Sequence, residues 1–261
     1  MLRLKDGRVI APDPLDRRLI ARIVLNQARD HQLLVFALVD SHLHLEVVEP
    51  FAKAMELARC IEIAVTLRLR PKVGFAPAHP KAIRDQSHLY HCFDYILRQY
   101  AHHGVNWDPF MDASSLPDLL GMRLVGHYTA QHVRRLLPRV KREKLLGYLG
   151  ISALDPTDAP LDQLVNATCA AACLPTLTGK SRKQQRARTA AITAAGDKLK
   201  VNHLAALLGV HRRSVERSRQ KHADLDLVAA IRLQLALRTT TTPEDAGAFS
   251  GASRLQSPPQ C

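Results

Sequence analysis

Two hydrophobic periods occur in the first half of the chain. Apolar residues recur at helical spacing in residues 14–32, 52–70 and 85–103, so each of these stretches is predicted to form a helix. Residues 33–50 are instead rich in valine and leucine, with a polar interruption at residues 40–41. That pattern predicts a buried strand, a tight turn and a second strand. The first half is therefore expected to mix α and β structure.

The hydrophobic pattern divides the chain into four regions. Residues 1–127 form the mixed region, and strand patterns nearly vanish from about residue 114 onward. The pattern over residues 128–179 predicts a helical connector with a hinge. The pattern over residues 180–236 predicts a set of short helices. Residues 237–261 are rich in threonine, serine, glycine and proline, which predicts a disordered tail. The expected fold class is α+β followed by an all-α region.

Composition excludes several classes of protein. Hydrophobic residues make up 46% and charged residues 23% of the chain, which is typical of a globular protein. The five cysteines are scattered and form no CxxC pair, so neither a disulfide framework nor a structural zinc site is expected. No apolar run reaches the roughly 18 residues of a membrane helix, and the N-terminus lacks the apolar core of a secretory signal. A cytoplasmic location is the expectation.

Basic residues are concentrated in two segments. The chain has 37 Lys and Arg against 24 Asp and Glu, a net charge of +13. Residues 129–150 carry a net charge of +5 and residues 180–222 a net charge of +10, and arginine outnumbers lysine in both. Because arginine binds phosphate through paired donors, this concentration favours a nucleic-acid-facing surface over a solvated face.

A helix-turn-helix is predicted at residues 201–220. Ala205 is small where two helices must touch, and Gly209 lies where the turn needs a positive φ. The second helix would enter the major groove of DNA with its N-terminal residues at the base edges. Those residues are His211, Arg212, Arg213 and, one turn further on, Arg217. An ordinary pair of antiparallel helices is the alternative interpretation.

Two histidines, His42 and His44, lie at alternate positions of the second predicted strand. Residues i and i+2 of a strand point to one face, so the two imidazoles project together and are a candidate pair of ligands for a divalent metal. Residues 40–45 (Asp-Ser-His-Leu-His-Leu), which contain both histidines, also resemble the first-strand motif of metal-dependent hydrolases on TIM barrels. A TIM barrel needs eight alternating strand and helix units, which the nearly strandless second half does not supply.

A candidate nucleophile lies on the predicted helix 85–103. Tyr95 and Gln99 are four residues apart and therefore share one helical face. Tyr90 and Asp94 have the same spacing, so helical geometry alone leaves two candidate tyrosines.

The strand with His42 and His44 and the helix with Tyr95 and Gln99 together resemble the single-tyrosine HUH transposases, and in particular the REP-associated tyrosine transposases. The resemblance covers about residues 1–125, with Gln99 in place of an asparagine and residues 113–115 (Ala-Ser-Ser) in place of Trp-Ser-Ser. It implies a ferredoxin-like HUH domain over residues 1–127, with an antiparallel sheet and helices on one face. It also favours Tyr95 over Tyr90 as the nucleophile.

The resemblance further implies a function. Tyr95 would cleave single-stranded DNA beside a hairpin or repeat through a 5′-phosphotyrosine intermediate and then transfer the strand. His42, His44 and Gln99 would hold Mg²⁺ or Mn²⁺. The family implies a bacterial, nucleoid-associated protein with no membrane partner, and its members that move DNA usually work as homodimers. The alternative is a domesticated, non-catalytic regulator that binds DNA through the helix-turn-helix.

Overall fold

The computed structural model describes residues 1–39, 41–102, 112–157 and 159–240. Within these ranges the fold is α+β, as predicted, and mostly helical. The strands are β1 (Leu2–Arg3), β2 (Leu33–Val39) and β3 (His42–Val47). The helices of the first half are α1 (Pro14–Gln27), α2 (Phe51–Leu69), α3 (Gln86–Leu97), α4 (Gln99–His102) and α5 (Leu116–Leu119). The later helices are α6 (His127–Leu136), α7 (Arg142–Gly147), α8 (Leu164–Ala171), α9 (Arg182–Ala195), α10 (Val201–Leu208), α11 (Arg212–Arg219) and α12 (Leu225–Thr240).

The three strands form one antiparallel sheet in the order β1-β3-β2. Every residue of β2 is buried, because this strand is apolar on both of its faces. Phe36 and Leu38 face the core formed with α1 and α2, and Ala37 and Val39 face the core formed with α3 and α6. Helices therefore cover both faces of β2, and the expectation of helices on one face was wrong. A strand without a polar face needs apolar cover on each side.

Residues 113–115 extend the sheet beyond β2. Ser114 forms an antiparallel bridge with Ala37. The main-chain nitrogen of Leu38 donates to the carbonyl of Ala113 (2.8 Å), and that of Ser115 donates to the carbonyl of Phe36 (2.9 Å). The Ser115 hydroxyl in turn accepts a hydrogen bond from the Phe36 nitrogen (2.8 Å). This segment thereby satisfies the second edge of β2, which would otherwise carry buried, unpaired main-chain groups.

The predicted helix 85–103 is two helices in the structure. Asp85 caps α3 by accepting a hydrogen bond from the His88 nitrogen (2.8 Å). Helix α3 ends at Leu97, with Arg98 as its C-cap, and the short α4 begins at Gln99. The end of the predicted helix, at residue 103, lies outside the described residues. The sequence pattern did not reveal the break, because apolar residues continue across it.

The C-terminal helices form a third core. Helices α8 to α12 share a cluster of buried alanine and leucine side chains. Helix α12 also reaches the core formed with α3 and α6, where Leu237 is buried, and the Gln234 amide donates to the carbonyl of Met122 (3.1 Å). Helix α12 thus continues to Thr240, past the predicted start of the tail at residue 237, and residues 241–261 lie outside the description. The predicted connector divides between two of these cores: α6 and α7 pack in the core formed with α3, and α8 packs in the C-terminal core.

A buried arginine joins several of these elements. Arg123 is 1% exposed, and its Nε donates to Asp118 Oδ1 (2.8 Å) while its Nη2 binds the other carboxylate oxygen. It also donates to the main-chain carbonyls of Asp112 (2.7 Å) and Ser114. The guanidinium carbon lies 5.7 Å from the centroid of the Phe36 ring. These contacts of Arg123 hold the segment before α5 against strand β2.

The same region contacts the C-terminal core. Arg18 of α1 pairs with the Asp112 carboxylate (2.6 Å) and donates to the carbonyl of Leu174 (3.2 Å). The Leu124 nitrogen, next to Arg123, donates to the carbonyl of Ala171 (3.0 Å). The C-terminal core is thus joined to the first half of the chain by charged and main-chain hydrogen bonds as well as by α12.

We expect Arg123→Met to destabilise the protein by about 3–5 kcal/mol, since it leaves the Asp118 carboxylate buried without its partner. The double variant Arg123→Met/Asp118→Leu removes both charges and should recover a large part of that loss. Urea unfolding followed by circular dichroism measures both effects. Equal stability of the wild type and Arg123→Met would contradict the role given to this pair.

Candidate functional site

The two candidate histidines lie side by side on one face of β3. The register places His42 opposite Val39 and His44 opposite Ala37. Leu43, between them, points into the core formed with α1 and α2. The ring centroids of His42 and His44 are 6.0 Å apart. Strand alternation therefore presents both imidazoles to the same space, on the side of the sheet where α3 packs.

Tyr95 reaches this space from α3. Phe93, Ile96 and Leu97 of α3 are buried in the same core as the facing residues of β2, and this packing fixes the rotation of the helix about its axis. The half-buried Tyr95 ring then meets His44 edge to face, with ring centroids 6.1 Å apart. Residues far apart in the sequence are thus brought together.

Gln99 lies one turn beyond Tyr95 and is fully buried. Its amide nitrogen donates a hydrogen bond to the main-chain carbonyl of Tyr95 (3.2 Å). The amide therefore stays close to the tyrosine although α3 ends between the two residues. The other amide atom is an oxygen, which is the atom that glutamine offers to a divalent metal.

The donor set fits a divalent metal in composition. Two imidazoles share one strand face, and an amide lies beside the tyrosine. In the part of the chain that the structure describes, no group of three His, Cys, Asp or Glu side chains could hold a metal ion. A metal bound here would therefore rely on the imidazole pair, the amide oxygen, and water or substrate oxygens.

The rival tyrosine takes part in a different network. The Tyr90 hydroxyl accepts a hydrogen bond from the main-chain nitrogen of Arg139 (2.9 Å). Asp94 forms ion pairs with Arg98 (2.9 Å) and Lys144 (2.6 Å). Helical geometry alone left Tyr90 and Asp94 open as an alternative pair; in the structure Arg139 and Lys144 connect them to the α6–α7 region.

One residue of the site was missed from the sequence. Glu46 follows His44 by two residues and so faces the same side of β3. It is 3% exposed, and within the described residues neither carboxyl oxygen has a hydrogen-bond partner. Burial raises the pKa of Glu46 to about 8. The strand spacing could have revealed this residue, since three polar side chains alternate with Leu43 and Leu45.

A cavity of about 690 Å³ opens beside these side chains. His44, Glu46 and Tyr95 line one wall, and residues of α2 line another. The segment before α3, residues 78–85, closes a third side. His44 and Tyr95 therefore face a space that is large enough for a small ligand.

The predicted turn between α10 and α11 is present at Gly209. This glycine caps α10 with φ 61° and ψ 40°, the left-handed conformation that glycine adopts without strain. Leu204 and Val215 are fully buried and pack the two helices together, and Ala205 is also buried between them. The α11 helix then begins with His211 as its N-cap, whose ring nitrogen accepts a hydrogen bond from the Arg213 nitrogen (3.2 Å).

The four predicted DNA-contacting residues are all exposed on or before α11. They are His211, Arg212, Arg213 and Arg217. Arg212 is paired with Glu216 of the same helix (2.8 Å). Neither Arg213 nor Arg217 forms an ion pair with any side chain that the structure describes. These two guanidinium groups are therefore the ones most ready to bind phosphate or a base edge.

The chain matches no family model, no curated protein and no solved structure in the comparisons made. Across the four described ranges, no helix combines the length and apolar character that crossing a membrane requires. The assignment of function therefore depends on the geometry of the residues above.

Glu46 makes the stability of the metal-free protein depend on pH. Its pKa is about 8 in the folded state, against 4.5 for an ordinary glutamate, so the folded state retains a proton that the unfolded state releases. Its contribution to stability is therefore complete below about pH 4.5 and is lost as pH rises through 8. Relative to Glu46→Gln, which does not titrate, we expect the wild type to lose on the order of 3 kcal/mol between pH 5 and pH 8. Urea unfolding with EDTA at several pH values measures this, and parallel pH profiles for the two proteins would refute it.

Proposed function

We propose that this protein is a metal-dependent endonuclease and strand transferase of single-stranded, hairpin-containing DNA that acts through a 5′-phosphotyrosine intermediate. The observation that carries the proposal is the position of His44, whose ring centroid lies 6.0 Å from that of His42 and 6.1 Å from that of Tyr95, together with the cavity that His44 and Tyr95 both line. This is the arrangement that the resemblance to single-tyrosine HUH transposases implies. A ferredoxin-like HUH domain remains part of the proposal.

Tyr95 supplies the nucleophile in this reaction. Its hydroxyl group gives up its proton and the oxygen forms a bond to the phosphorus of the scissile phosphodiester, while the bond from phosphorus to the 3′ oxygen breaks. The 3′ oxygen leaves with the electron pair and takes up a proton, which gives a free 3′-OH and a 5′-phosphotyrosine. His42, His44 and Gln99 would hold Mg²⁺ or Mn²⁺, which supplies Lewis-acid polarisation of a phosphodiester oxygen when bound.

The chain itself provides positioning. Packing of α3 on β2 fixes the direction of Tyr95, and the edge-to-face contact with His44 holds its ring. A phosphodiester is exchanged for a phosphotyrosyl ester, so the free 3′-OH can later attack the phosphotyrosine. The reaction thus supports strand transfer without ATP.

The basic helices are proposed to bind the rest of the DNA. Helix α11 exposes Arg213 and Arg217, and α10 packs against it as the first helix of a helix-turn-helix would. The same observation favours the second candidate function, a non-catalytic DNA-binding regulator in the bacterial cytoplasm. Both candidates allow a homodimer, and cleavage separates them.

We expect a covalent protein–DNA adduct that depends on Tyr95. The wild-type chain is mixed with labelled single-stranded hairpin DNA from the repeats flanking its own gene and with Mn²⁺ or Mg²⁺. A labelled band that survives SDS should form, and it should be absent with EDTA or in Tyr95→Phe because each removes a required component.

Tyr90→Phe is the matched control, since it removes a hydroxyl from the same helix. It should keep the adduct, because the Tyr90 hydroxyl is bonded to the main chain at Arg139. Adduct loss in Tyr90→Phe but not in Tyr95→Phe would reverse the assignment. Tight binding of the hairpin by all three proteins with no adduct would instead favour the regulator.

The double variant Arg213→Ala/Arg217→Ala should lower the affinity for duplex target DNA about tenfold or more and reduce its salt dependence, because phosphate or base contacts are lost. Arg59→Ala/Arg68→Ala removes two exposed arginines of α2 and serves as the control. Fluorescence anisotropy at several salt concentrations measures both. An equal loss of affinity in the two double variants would indicate a nonspecific charge effect.

A further inference from the structure

The Glu46 carboxyl group has no function in the mechanism above. It is 3% exposed, and no described side chain or main-chain group bonds to its two oxygens. Burial of an unpartnered carboxyl group is unfavourable, so its retention calls for a physical explanation, and a ligand that completes its hydrogen bonds is one. Glu46 lines the cavity that His44 and Tyr95 also line, so a ligand in the cavity could reach it.

The rest of the cavity suits a nucleotide. Lys81 and Arg84 line it from the exposed segment before α3 and offer positive charge for a phosphate. Phe51, at the start of α2, also lines it, is 70% exposed and offers a ring face on which a base can stack. The volume of about 690 Å³ lies within the range of small-molecule sites.

The other glutamate and aspartate of the cavity wall already have partners. Glu49 accepts a hydrogen bond from the Gln32 nitrogen (3.1 Å) and lies 3.5 Å from a ring nitrogen of His31. Asp85 caps α3. Unlike Glu49 and Asp85, Glu46 has both carboxyl oxygens unpartnered within the described residues, so it can accept hydrogen bonds from a ligand.

We propose that this cavity binds a guanine base of single-stranded DNA and that Glu46 is its specificity-determining residue, accepting hydrogen bonds from the N1–H and N2–H groups of the base. The inference rests on the proposed function, because the bound base would belong to the strand that is presented to Tyr95. Lys81 and Arg84 would contact the phosphate of that nucleotide, and Phe51 would stack on the base.

Guanine is the base that Glu46 fits best. It alone of the four DNA bases presents two adjacent N–H donors on its Watson–Crick edge, and the Glu46 side chain accepts both of them once its carboxyl group is ionised. Adenine, cytosine and thymine each present one donor position on that edge and would leave one oxygen of a carboxylate without a partner. A buried acceptor without a partner is the strongest source of discrimination between ligands of similar shape.

The test is binding of the four 2′-deoxynucleoside 5′-monophosphates to the full chain, measured by ligand-observed NMR titration in EDTA at about pH 8.5, where the Glu46 carboxyl group, whose pKa burial raises to about 8, is mostly ionised. Cleavage is absent under these conditions, so the outcome does not depend on Tyr95 or on a metal. The wild type should bind the guanine nucleotide about tenfold or more tightly than the other three, which is the discrimination typical of a bidentate contact. Equal binding of all four, or binding of none at millimolar concentration, would overturn the inference.

Variants of Glu46 and Glu49 test which cavity glutamate causes the preference for guanine. Glu46→Leu should abolish the preference for guanine, and an apolar side chain is expected to be tolerated at this buried position. Glu46→Gln presents one donor and one acceptor and should bring the four affinities within about twofold of each other. Glu49→Leu should keep the preference, because Glu49 already has partners. A guanine preference that survives in both Glu46 variants would refute the role of Glu46, whereas the adduct assay tests Tyr95 independently.

Discussion

The pairing of Arg123 with Asp118 is the constraint on which the rest of the structure depends. A fully buried guanidinium is tolerated only when its donors are satisfied, and here Asp118 and two main-chain carbonyls accept from it. Ser114 lies in the segment that pairs with β2 and Asp112 directly precedes it, so the ion pair holds this segment at the sheet edge. The space around Asp118 is tightly filled: a Cβ atom at Gly126 would overlap the Asp118 carboxylate.

The site follows from the position of β2. Strand β3 pairs with β2 in a register that places His44 opposite Ala37, and α3 packs on the same face of the sheet. The Tyr100 hydroxyl donates to the carbonyl of Leu38 (3.1 Å) and fixes the chain just after Gln99. A strand and a helix held against one buried partner therefore bring an imidazole pair and a tyrosine together. The catalytic proposal needs this rigidity, because a nucleophile acts only when it is aligned with the phosphodiester.

Periodicity in the sequence was enough to predict the main elements and the His42 and His44 pair. Strand alternation is a local property, so the common face of the histidines followed from their spacing. The helical cover on both faces of β2 also follows from an uninterrupted apolar run, although the resemblance suggested one face. The burial of Arg123 could not be predicted, because an arginine in the sequence carries no sign of the carboxylate and carbonyls that will surround it. Glu46 lay within reach of the strand pattern, but its lack of partners appears only in three dimensions.

The most direct test of the central claim is mass spectrometry of the DNA-linked protein after digestion with nuclease and trypsin. Cleavage after Arg84 and Arg98 gives a peptide of residues 85–98 that contains both Tyr90 and Tyr95. Fragmentation of this peptide should place a 5′-linked nucleotide on Tyr95, as expected if the tyrosine beside His44 is the nucleophile. A nucleotide on Tyr90, or an adduct on any other peptide, would contradict the account.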